Sequence, residues 1–97
     1  MLKRSYVFVV VCYDIVDDKR RTRLAKLLTS FGERVQKSVF ECRIDDRRYL
    51  KLKAEIEKLI DWEEDGVRYY QLCKGCLRVV EISGTGFVRE EEDVIVV

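Results

Sequence analysis

Asp14 closes an apolar run, and four cations stand close behind it: "VVVCYDIVDDKRRTRL" covers Val9 to Leu24. Asp17 and Asp18 follow, then Lys19, Arg20, Arg21 and Arg23. An aspartate at a strand end can start a loop and cap backbone N–H groups. It can also ligate Mg²⁺, a hard cation held by one or two carboxylates together with water and phosphate oxygens. One aspartate makes a poor site. Two copies of Asp14 facing each other across a two-fold axis make a credible one, because symmetric dimers place the same residue on both sides. Asp17 and Asp18 read as helix caps and dipole partners, with metal ligation through water as the lesser alternative.

The cations carry more information. Positive charge in the first turn of a helix opposes the macrodipole. It makes sense there if an anion sits at the helix start, where exposed N–H groups and guanidinium groups bind the same phosphate. From Lys19 to Lys37 there are seven basic residues against one acid, Glu33, a local charge of +6. Lys19, Arg20, Arg21, Arg23, Arg34 and Lys37 are therefore the candidate nucleic-acid contacts. The alternative is a solvated face balanced by neighbouring acids. The net charge of the chain is only +1, so a basic site must be local.

The 97 residues contain no histidine, which removes Ser-His and Cys-His nucleophiles and every His-containing metal site. Chemistry must come from carboxylates, a bound cation, Lys, Arg, Tyr or Cys. "CKGC" places Cys73 and Cys76 at the spacing of a zinc knuckle or a redox pair. Zinc needs four ligands, and the other cysteines, Cys12 and Cys42, fall inside predicted strands. The pair reads as mainly structural, with redox pairing open.

These residues need elements to hold them. Tyr6 to Ile15 is almost continuously apolar, as in a strand buried on both faces. The run is far too short to span a bilayer and ends in acids, so a strand is expected rather than a signal peptide, and a cytoplasmic protein rather than a membrane one. Leu24, Leu27, Leu28 and Phe31 form one helical face, and Gly32 sits where a helix-ending C′ glycine belongs. "RVQKSVFECRI" reads as a second strand whose alternation changes phase, implying a bulge or break near Lys37–Ser38. Asp45 and Asp46 offer the cap of a second helix marked by Tyr49, Leu52, Ile56, Leu59 and Ile60. Asp65–Gly66 signals a turn. "VRYYQLC" and "LRVVEIS" then read as two strands joined by "KGC". The glycines at 84 and 86 break the chain before the acidic Glu90–Asp93 and the apolar Val94–Val97. One domain over 1–97 is expected, with a core over 1–84 and a tail over 85–97. Two helices among these strands imply an α+β sandwich.

"VVVCYDIVDDKRRTRLAKLL", the glycine at the helix end, "RVQKSVFEC" and "YQLCKGCLRVVEISGTG" together resemble the small CRISPR-associated Cas-two family, partner of the Cas-one integrase in spacer acquisition. The resemblance covers nearly the whole chain. It implies a ferredoxin-like sandwich, an antiparallel sheet with two helices on one face, that forms a homodimer through its sheets. It further implies a C-terminal strand, about Asp93 to Val97, pairing across the dimer, and Asp14 as the Mg²⁺ ligand (Mn²⁺ being a possible substitute), one from each subunit. Tyr13, Arg21, Arg23, Arg34 and Phe40 occupy motif positions associated with nuclease function or its surroundings. Read as residues alone, Tyr13 and Phe40 suit core or interface packing better than stacking on bases. Some members of that family are metal-dependent endonucleases on single-stranded RNA or double-stranded DNA. In other systems the protein is a DNA-holding scaffold of the integrase complex.

Overall fold

The computed structural model describes residues 6–84. Residues before and after that range, including the apolar tail at Val94–Val97 and its expected strand, lie outside the described part. The elements run β1 (Tyr6–Asp14), α1 (Asp18–Thr29), β2 (Glu33–Gln36), β3 (Val39–Asp45), α2 (Asp46–Leu59), β4 (Gly66–Leu72) and α3 (Lys74–Arg78). The four strands form one sheet in the order β2-β3-β1-β4, antiparallel at every pairing. This is the ferredoxin-like α+β arrangement.

Strand β1 lies at the centre, and its alternation divides the sheet into two faces. Val9, Val11 and Tyr13 point to the helices, paired with Cys42, Phe40 and, on β4, Gln71, Tyr69 and Val67. Leu24 and Leu28 of α1 and Leu52 and Ile56 of α2 close over them, all four fully buried. Val10, Cys12 and Asp14 face the other way. On that face lie Val39, Glu41 and Arg43 of β3 and Arg68, Tyr70 and Leu72 of β4. Val10 and Cys12 are half-buried and Tyr70 is exposed. The expectation of a strand buried on both faces thus holds on the helix side at Val9, Val11 and Tyr13, and on the other side at Phe8, which is buried, while Val10 and Cys12 are half-buried and Asp14 is exposed.

Both long helices begin on their aspartate caps. Asp17 accepts from the Arg20 amide at 2.9 Å, and Asp45 from the Arg48 amide at 2.8 Å. The phase change in "RVQKSVFECRI" is a hairpin. β2 and β3 fold back on each other across Lys37–Ser38, with a register shift between Arg34 and Gln36. Gly32 does not adopt a left-handed cap; α1 ends on Ser30, and Gly84 is the one glycine with positive φ among the described residues. Gly32 is needed for close approach instead. A Cβ there would collide with the Glu41 carbonyl oxygen and Cys42 Sγ.

The second of the two strands expected after Gly66 is absent. Lys74–Arg78 is a short helix, and Val79–Ser83 carries no strand. Local closure replaces alternation: the Cys76 amide meets Cys73 Sγ at 3.4 Å, and the Val79 amide donates to the Cys76 carbonyl at 3.2 Å. Val79, Val80 and Ile82 are left exposed in the single chain.

Candidate nucleic-acid and metal site

The end of β1, the first two turns of α1 and the β2–β3 hairpin meet around a cavity of about 550 Å³. Asp14, Ile15, Arg21, Thr22, Ala25, Arg34, Lys37 and Ser38 line it. One carboxylate and three cations therefore share a space large enough for a nucleotide.

Asp14 is exposed at the last position of β1, and its carboxylate has no hydrogen bond or ion pair with the described residues. Its cross-strand neighbour is Gly66, where a Cβ would meet nothing within 4 Å. The carboxylate consequently stands uncovered on that side.

Tyr13, one residue earlier, turns inward and is buried. Its amide donates to the Ser38 carbonyl at 3.1 Å and its hydroxyl to the Lys37 carbonyl at 3.3 Å. Arg34 donates to the same hydroxyl at 3.3 Å and lies over the Phe40 ring, 5.3 Å from its centroid. The Tyr13 and Phe40 rings are 6.3 Å apart. Both aromatics belong to the core cluster, so neither offers a face for base stacking; together they hold Arg34 and the hairpin tip that carries Lys37.

The basic residues divide into two groups. Arg20 is engaged: its Nε donates to Asp65 at 2.8 Å and its Nη2 to Glu64 at 3.2 Å. Arg21 donates to the Ile15 carbonyl at 3.1 Å and pairs with Asp18, which fixes the β1–α1 loop. Lys19, Arg23 and Lys37 are exposed and hold no side-chain hydrogen bond or ion pair with the described residues. Arg34 is exposed too, with its hydroxyl and ring contacts already named. Lys19, Arg23, Arg34 and Lys37 thus have charge to offer, whereas Arg20 is a clasp.

The partner in that clasp is legible in the sequence only as a turn. The Asp65 side chain is completely shielded from solvent and also accepts from the Val16 amide at 3.0 Å and the Asp61 amide at 2.8 Å. It ties the β4 entry to the loop after Asp14. The Arg20 guanidinium, aided by those amides, holds its carboxyl down at about 2. Thr22 and Ser38, which also line the cavity, carry no sequence motif beyond their position beside Arg21 and Lys37.

A metal would find one ligand here. No group of three or more His, Cys, Asp or Glu side chains gathers among the described residues. A single hard oxygen ligand suits Mg²⁺ with water and phosphate, and a second copy of Asp14 would complete a two-carboxylate set. No helix among the described residues is long and apolar enough to cross a membrane.

Residues 7–80 match the model of the family described as CRISPR associated protein Cas2. The chain is 44% identical over 94 residues to a CRISPR-associated endonuclease Cas2 of Thermus thermophilus, covering 97% of each chain. It is 43% identical over 81 residues to a CRISPR-associated endoribonuclease Cas2 of Chloroflexus aurantiacus, covering 82% of this chain and 87% of that one. A solved chain of a partial Cas6-RT-Cas1–Cas2 complex superposes with a TM-score of 0.70 at 32% identity, covering 78% of this chain and 89% of that one. With three-quarters of its length inside the family model and a relative matched almost end to end, the chain belongs to the CRISPR-associated Cas2 family.

Proposed function

We propose that this protein acts in CRISPR spacer acquisition as a metal-dependent endonuclease that hydrolyses phosphodiester bonds, working as a cytoplasmic homodimer beside a Cas1 integrase. The carrying observation is Asp14: an uncovered carboxylate at a strand end, opening on a cavity lined by Arg21, Arg34 and Lys37. The relatives named as endonuclease and endoribonuclease support the same chemistry.

The chain's own residues do most of what such a site requires. Arg34 and Lys37 neutralise phosphate oxygens, and the buried Tyr13 and Phe40 keep Arg34 in place. Arg21 braces the loop that follows Asp14. Lys19 and Arg23 extend the positive surface along α1 for a longer strand or duplex. The two Asp14 carboxylates of a dimer would hold Mg²⁺ or Mn²⁺, which supplies Lewis acidity toward the phosphate and lowers the pKa of an attacking water. The half-buried Val10 and Cys12, with Tyr70, give the sheet face on which a second copy would pack.

A second reading is a non-catalytic DNA-holding scaffold of the integrase complex. It is favoured by the single carboxylate among the cavity-lining residues and by exposed cations that reach beyond the cavity, and the Cas1–Cas2 assembly of the solved relative agrees with it. Cleavage of single-stranded RNA and of duplex DNA, with Mg²⁺ and with EDTA, separates the two. Magnesium-dependent products that vanish in Asp14→Asn establish the nuclease. Tight duplex binding with no products in either metal condition establishes the scaffold.

A further inference from the structure

Cys73 and Cys76 flank the point where the chain leaves β4, outside the cavity and outside any role given to the charged site. Both are exposed, unlike the fully buried Cys42 and the half-buried Cys12. Their sulfur atoms lie 3.4 Å apart, and the Cys76 amide points at Cys73 Sγ from 3.4 Å. Two accessible thiols already in contact need only a small rotation to bond.

We propose that Cys73 and Cys76 form a dithiol that low-molecular-weight disulfides of the glutathione type oxidise reversibly to an intramolecular disulfide. The reaction balances with glutathione disulfide as the oxidant. Cys73 thiolate attacks one sulfur, the glutathione S–S bond breaks, and one glutathione thiolate leaves. Cys76, having lost its proton, attacks the Cys73 sulfur of the mixed disulfide and expels the second glutathione thiolate. Two electrons pass from the protein to the oxidant, and the two cysteine protons end on the two glutathiones. Cys73 is suited to the first attack, since the Cys76 amide and then the Cys76 thiol stabilise its negative charge and hold it below the ordinary thiol range.

The energetics favour a sensor over a staple. A bond between positions 73 and 76 closes a very short loop, so it removes little entropy from the unfolded chain. In a reducing compartment such a pair stays open and closes only when the thiol pool is oxidised. The exposed Val79, Val80 and Ile82 begin three residues beyond Cys76, so the bond would bear on the exit direction of that segment.

The experiment titrates the full chain with glutathione disulfide and glutathione in mixed ratios, with EDTA present, and maps thiols by alkylation and peptide mass. The expected result is a peptide containing Cys73 and Cys76 that is two hydrogens lighter, restored by glutathione, while Cys12 and Cys42 stay alkylatable after unfolding. Cys76→Ser should trap glutathione on Cys73 faster than Cys73→Ser traps it on Cys76. Stable mixed disulfides on both residues, bonds between chains in place of the internal one, or thiols that stay reduced in glutathione disulfide alone would each overturn the proposal. So would stoichiometric zinc that shields both thiols once EDTA is omitted, because the pair would then be part of a metal site.

Discussion

At Asp14 and its neighbours, successive residues of one strand do opposite jobs. Tyr13 is spent on packing and on Arg34, while Asp14 is left without any partner among the described residues. A carboxylate that only capped a loop would be bonded to it; the capping here falls to Asp17 and Asp65 instead. Asp14→Asn should therefore leave the melting temperature nearly unchanged. Metal-dependent cleavage should drop by about 100-fold or more, since a metal-bound phosphate draws several kcal/mol of charge stabilisation from its site. Thermal melts and single-turnover cleavage check the two halves. Asp65 gives the opposite expectation. Its carboxyl titrates at about 2 in the folded chain against 3.8 when free, because of the Arg20 bond. A depressed carboxylate stabilises the fold above its unfolded value and loses that contribution as pH falls from about 4 to about 2. Melting temperature measured across this window should fall less steeply in Asp65→Asn than in the parent. Equal slopes would mean that the clasp contributes nothing to acid stability.

The β2–β3 hairpin shows what an element contributes to the site. It brings Arg34 and Lys37 to α1, and its seat depends on Gly32, which lets β3 pass close to the end of the helix. Gly32→Ala would press a methyl group into the Glu41 carbonyl. Because backbone rather than a flexible side chain must yield, a loss of about 1–3 kcal/mol is expected, typical of overpacked sites, measurable by urea unfolding. The same segment shows where sequence reading succeeds and stops. The change of phase in "RVQKSVFECRI" exposes the break near Lys37–Ser38, and the aspartates mark both helix starts, because these signals are local. Gly32 suggests a left-handed cap because a glycine after a helix commonly has that role; its true reason is a contact with a strand nine residues on. The cation cluster is legible as charge, but the diversion of Arg20 to Asp65 spans 45 residues and leaves no periodic trace. "LRVVEIS" alternates like a strand, yet alternation marks only suitability for a sheet. Nothing in it reveals whether the partner strand lies in the same chain.

At the scale of the molecule, the charged cavity and the sheet face opposite the long helices each carry an expected binding event. The cations around the cavity should make duplex binding salt-dependent and largely sequence-independent. Arg34→Ala combined with Lys37→Ala should flatten the plot of log affinity against log salt by about 0.9 for each phosphate left without its cation. Unchanged slopes in a fluorescence titration would remove these residues from the phosphate surface.

The open sheet face carries the remaining expectation. Among the described residues the two long helices cover one side of the four-stranded sheet, and the other side has the half-buried Val10 and Cys12 in its centre beside the buried Phe8. Val10 lies between Glu41 and Tyr70 on the neighbouring strands, so its environment within one chain is apolar at the centre and polar around it. A face of this kind suits a second copy, which would also bring a second Asp14 toward the first. Val10→Asp places an acid beside Glu41, whose carboxyl burial already pushes upward, with Glu33 adding to the shift. In the monomer that acid is half-buried opposite a like charge, a modest cost; in a stacked dimer it would be wholly buried beside its own copy, a far larger one. The variant should remain folded by circular dichroism and sediment as a monomer where the parent sediments as a dimer. Magnesium-dependent cleavage should disappear with the dimer, while phosphate-driven duplex binding weakens but persists. A parent that sediments as a monomer at micromolar concentration, or a Val10→Asp protein that cleaves as a monomer at the parent rate, would show that one Asp14 is enough and that the shared metal is not how this site works.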